Sequence, residues 1–159
     1  MHINPSLTGP QNIIAYATNP AFTAPTDPNN VLCGTPLPFP PPNGFTEIPG
    51  VNIDGSNSNT MVDVYITDLL EDVNEDGATQ TIIYERGLIS AGVASNPGVT
   101  VTTQTQGVLL LEAIALQLGL VATELQLIST ATGTAVIGPI TNSVLYLPGN
   151  LTVTLVYSD

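Results

Sequence analysis

Apolar and polar positions alternate over several short stretches of this chain, and a period of two marks strands with one buried face. The pattern is clearest over 151–157, where Leu151, Val153 and Leu155 alternate with Thr152 and Thr154. Comparable β-branched stretches predict strands over 60–67, 79–85, 98–105, 124–130 and 135–137, with a further strand over 87–93 bent at Gly92. Pro148-Gly149-Asn150 is a turn signal, because Pro presets φ and Gly accepts positive φ. A strand over 143–147 is therefore expected to form a hairpin with 151–157.

The period changes once. Val108–Leu118 is rich in Leu and Ala, both strong helix formers, and Gly119 stands where a helix C-cap belongs. One helix of about three turns is predicted over 108–118. Many short strands at close spacing, with turn signals between them, predict a mainly β fold. The expected form is an antiparallel β-sandwich or jelly-roll-like domain carrying that single short helix.

The first 47 residues differ from the rest. They hold most of the 14 prolines, which remove ladder donors and fix φ, so an extended Pro-rich arm (1–47) is expected before a β domain spanning 48–159. Pro36–Pro42 reads as a stiff polyproline II linker. One proline-free stretch, Asn12, Ile13, Ile14, Ala15, Tyr16, Ala17 and Thr18, reads as an isolated strand. Such a strand needs a partner edge, so these seven residues are the predicted subunit contact, donated to the sheet of a neighbouring copy.

Composition narrows the function. Of the 159 residues 43% are hydrophobic, enough for a core, but only 9% are charged, against roughly a quarter in ordinary soluble domains. Thirteen carboxylates face one Arg, Arg86, and no Lys, giving a formal net charge of −12. Nucleic acid, which is held by clustered Lys and Arg, is thereby an unfavourable partner, as is an anionic membrane surface. No stretch reaches the ~18 apolar residues of a membrane span. The N-terminus lacks the basic and apolar regions of a secretory signal. A surface of Thr, Ser, Asn, Gln and Gly can pack against copies of itself without burying many charges.

Candidate chemistry is sparse. His2 is the only His and Cys33 the only Cys, so no Cys–His pair is expected, and no Lys is present for a Schiff base. Carboxylates such as Asp63, Asp68, Glu85 and Glu112 could supply an acid pair, but there is no Trp for a sugar platform. The chain is read as non-enzymatic and as needing no cofactor. The most specific local signal is Asp72-Val73-Asn74-Glu75-Asp76-Gly77, which resembles the opening six residues of a calcium-binding EF-hand loop. There Asp72, Asn74 and Asp76 would converge on one calcium ion, while the twelfth position, Ile83, departs from the Glu the motif requires. Asp54–Asn59 reads as a turn. Asn150-Leu151-Thr152 matches the acceptor pattern for an N-linked glycan. Arg86 is expected in a structural ion pair.

Together these features predict a structural subunit of an extracellular or particle-surface assembly, on a cell, spore or virus particle, that polymerises through β-strand contacts with copies of itself. The alternative is a calcium-dependent adhesion or carbohydrate-binding β-sandwich module, which needs an occupied 72–77 loop and an exposed aromatic face drawn from Tyr65, Tyr84, Tyr146 or Tyr157.

Overall fold

The computed structural model describes residues 1–16, 28–42, 50–66 and 79–159. It is mainly β, with two sheets and two α-helices among these residues. The chain divides into two compact units: Met1–Ile3 with Leu7–Arg86, and Asn4–Ser6 with Gly87–Asp159.

The first unit is built on β4 (Thr60–Ile66) and β5 (Thr79–Tyr84), paired antiparallel. In β4 the side chains of Thr60, Val62, Val64 and Ile66 are buried and alternate with more exposed ones, as the period of two requires. β5 lies between β4 and the short β3 (Val51–Asn52), and its last three residues, Ile82, Ile83 and Tyr84, are all buried. β1 (Val31–Cys33) and β2 (Leu37–Pro38) both pair antiparallel with β4, the first beside Val64–Ile66 and the second beside Thr60–Met61. Pro38 sits where a proline is tolerated, in a two-residue edge strand.

The isolated strand expected over 12–18 is not formed at Asn12–Ile14, because Gly9–Ile14 is a helix, α1. The cause is local. Thr8 caps the helix, its hydroxyl accepting from the Gln11 N–H (3.3 Å), while the Gln11 side chain accepts from the Thr8 N–H (3.1 Å). This reciprocal capping box, with Pro10 in the first turn where its missing N–H costs nothing, outweighs the β-branched Ile13 and Ile14. Asn12, Ile13 and Ile14 are buried, and the Asn12 amide donates to the carbonyls of Leu7 and Thr8.

The second unit holds a four-stranded sheet in the order β6 (Gly98–Val101), β9 (Leu151–Tyr157), β8 (Thr134–Pro139), β7 (Leu125–Ala131). The predicted helix is present as α2, Gly107–Leu118, ended by Gly119 in the left-handed region at φ 71°. Leu110, Ile114 and Ala115 form its buried face, and the helix packs on both β6 and β7. Val99, Val101, Leu125, Ala135, Ile137, Leu151, Val153 and Leu155 are the buried residues of the sheet. Thr100, Thr134, Thr152 and Thr154, at alternate positions, stay exposed.

Three further expectations require correction. Pairing is not antiparallel throughout, because β3 runs parallel to β5 and β6 parallel to β9. Residues 87–93 form no strand; Gly87 makes a single parallel bridge to Tyr146. The hairpin of 143–147 with 151–157 is absent, since β9 pairs with β6 and β8 instead. Its physical reason lies at Glu124, described next.

Candidate functional site

Glu124 closes a 3₁₀ turn (Ala122–Glu124) just before β7 and is 95% removed from solvent. One carboxylate oxygen accepts from the Val144 N–H (2.7 Å), the Ser143 hydroxyl (2.9 Å) and the Leu145 N–H (3.3 Å). The Ser143 hydroxyl oxygen in turn accepts from the N–H groups of Leu145 (3.3 Å) and Tyr146 (3.1 Å). Main-chain donors that a hairpin would use are thus taken by side chains, and 143–147 folds around the carboxylate. Tyr146 is buried beside it, its hydroxyl accepting from the Val121 N–H (3.1 Å). Burial raises the Tyr146 pKa above its ordinary value, with the nearby Glu124 adding to the shift against the hydrogen bond from Val121.

In the first unit a comparable knot surrounds Asn59. Its carboxamide oxygen accepts from the Arg86 N–H (2.8 Å) and the Thr60 hydroxyl (2.7 Å), and its amide donates to the Arg86 carbonyl (2.9 Å). The Arg86 guanidinium Nε donates to the Thr60 hydroxyl (3.0 Å), which satisfies a fully buried polar side chain. Asp54, in the turn expected from its sequence, accepts from the Met1 amino group (2.6 Å) and the Glu85 N–H (2.7 Å).

A groove of about 530 Å³ opens at the carboxyl ends of β6, β7 and β9, against the first turn of α2. Leu110, Leu127 and Leu155 give it apolar walls, and Thr103, Thr105, Thr130, Thr132 and Tyr157 supply hydroxyls. Asp159 fixes Thr103 by accepting from its hydroxyl (2.6 Å) and its N–H (3.1 Å). Those bonds hold the Asp159 carboxyl below its ordinary pKa. Among the described residues lining the groove none is charged. Its lining offers hydrogen bonds and apolar contact, with the Asp159 carboxylate held against Thr103 at its rim.

The sequence-predicted residues fall as follows. Asp72, Asn74 and Asp76 lie outside the described residues, as do Ala17 and Thr18. Among the described residues there is no group of three or more His, Cys, Asp or Glu side chains able to hold a metal. Asn12, Ile13 and Ile14 are in α1, Ala15 is its C-cap, and the Tyr16 hydroxyl is bonded to the His2 backbone. Asp63 accepts from the Thr81 hydroxyl (2.6 Å), and Glu112 projects from the exposed side of α2. Tyr84 and Tyr146 are core residues, whereas Tyr157 is 38% exposed and Tyr65 half-buried. Sequence reasoning missed Glu124 and Asn59 as organising groups. Their partners lie 19–21 and 27 residues away, and no local pattern signals them.

No helix among the described residues is long and apolar enough to cross a membrane. Comparison with models of protein families, with curated proteins and with solved structures finds no match.

Proposed function

We propose that this chain is a structural subunit that associates with copies of itself in an extracellular or particle-surface assembly. The observation that carries the reading is the outer side of α2, where Val108, Leu109 and Leu116 are 70%, 65% and 81% exposed. Three large aliphatic side chains on one short helix, with Glu112 between Val108 and Leu116, form a mostly apolar surface of the kind that marks contacts. The setting of that patch supports the same reading: a chain with so few charges can bury its surface against a copy without stranding ions. A non-catalytic role belongs to this proposal. The Lys-free composition supports a surface location, since it removes the commonest target of trypsin-like proteases. A sandwich or jelly-roll-like architecture is a further part of the proposal; the extended arm expected over 1–47 is not, since α1 is buried and β1 and β2 pair with β4 within the first unit.

Donation of residues 12–18 is not part of it, because Asn12–Ile14 are helical and buried. The adhesion-module alternative would draw on an aromatic face, and the burial of Tyr84 and Tyr146 leaves little for one. Sedimentation velocity and negative-stain microscopy of the purified protein test the reading. Oligomers, fibres or shells are expected. A monodisperse monomer up to about 100 μM, well above the micromolar affinity range of weak specific contacts, refutes it.

A further inference from the structure

We propose that the outer edge of β7 receives a second copy of this chain, β7 running antiparallel to its counterpart across a two-fold axis, while Gln117 closes the opposite edge of the same sheet. The inference rests on the assembly reading above and names the contact.

The sheet edges of this protein are unequal. Among the described residues of the first unit the edge strands are minimal: three residues in β1, two in β2 and two in β3. Very short edges are a common way of denying neighbours a template. In the second unit β6 has four residues, and its outer side is already occupied. The Gln117 carboxamide accepts from the Thr100 N–H (2.9 Å) and donates to the Thr100 carbonyl (2.8 Å). A primary amide with both bonds made to one residue does for that residue what an added strand would do.

β7 has no such closure. It is seven residues long, and among the described residues only β8 pairs with it. Gln126, Ser129, Thr130 and Ala131 are exposed, and Ile128 is 46% exposed. An edge strand of this length presents a row of outward N–H and C=O groups that a partner strand can satisfy.

Charge selects the occupant. The chain carries −12, so two copies repel one another wherever carboxylates face outward. No ionisable side chain occurs in Leu125–Ala131, and the preceding Glu124 is buried and bonded to Ser143 and Val144. An antiparallel pairing brings Ile128 of each copy toward the two-fold axis, adding apolar contact to the ladder. The register shift between Leu127 and Ser129 leaves Ile128 without a partner on β8, which twists the strand and limits which register a copy can adopt. With β7 open and β6 closed, the contact is isologous and ends at two copies; growth beyond a pair requires another surface, such as the apolar side of α2.

The test uses the full chain. Gln126→Glu with Thr130→Glu places like charges directly opposite each other across the proposed ladder and is expected to weaken the wild-type dimer about tenfold, read by sedimentation velocity. Both positions are exposed, and an unchanged circular dichroism spectrum verifies the fold. Ile128→Cys in a Cys33→Ala background is expected to form a disulfide-linked dimer under mild oxidation, while Thr152→Cys is not. Gln117→Ala is expected to shift the distribution toward species larger than the wild type. If the wild type associates but the double Glu variant matches it and Ile128→Cys does not cross-link, the β7 contact is wrong and the assembly reading stands. If the wild type is monomeric throughout, both fail.

Discussion

Replacing Glu124 by Ala tests the account of the second unit most directly. The carboxylate oxygen accepts two short hydrogen bonds, at 2.7 and 2.9 Å, and a longer one at 3.3 Å. Hydrogen bonds to carboxylates contribute about 1.5–3 kcal/mol each to stability. Water or a neighbouring carbonyl can take over part of the work for the Ser143 hydroxyl and the Val144 N–H, so the lower end is used. Two bonds lost at that value give a destabilisation of about 3 kcal/mol. The corresponding fall in Tm is roughly 10 °C for a chain of this size. Urea denaturation followed by far-UV circular dichroism measures it, with an unchanged m-value confirming that the native fold is the one being compared. Glu124→Gln keeps an acceptor oxygen at the same position and is expected to lose about half as much. A loss below about 1 kcal/mol for Glu124→Ala would refute the claim that this carboxylate holds 143–147 in place.

Asn59→Ala breaks two hydrogen bonds to the Arg86 backbone and one from the Thr60 hydroxyl, and is expected to cost about 2–3 kcal/mol in the same assay. Tyr146 supplies the pH dependence. Its pKa in the folded state is raised above its ordinary value of 10.0, so above pH 10 the unfolded chain loses this proton first. Stability contributed by the neutral phenol is present below pH 10 and falls as pH rises; Tyr146→Phe is expected to flatten that decline, measured as Tm against pH. If residues 72–77 bind calcium, millimolar calcium raises the Tm and Asp76→Ala abolishes the rise. An unchanged Tm removes calcium from the account.

The α2 prediction succeeds because its information is local. Leu and Ala over 108–118 favour helical backbone and Gly119 accepts the left-handed cap at no steric cost. β4 and β9 are legible for a related reason, since alternation records which side of a strand meets the core. The helix at Gly9–Ile14 is local in origin too. Thr8, Pro10 and Gln11 together specify a helix start, and their capping outweighs the strand preference of the β-branched pair Ile13–Ile14.

Alternation and composition alone mark the segments able to hide an apolar face, and the shortage of charge leaves the exterior to Thr, Ser and Asn. Tertiary structure decided the rest, because the deciding partners are distant along the chain. Glu124 reaches 19–21 residues ahead to dissolve a plausible hairpin, and Asn59 reaches 27 residues to Arg86. Gln117 reaches back 17 residues to close β6. No periodicity encodes these contacts; each arises where a polar side chain meets main-chain groups that would otherwise lack a partner away from water.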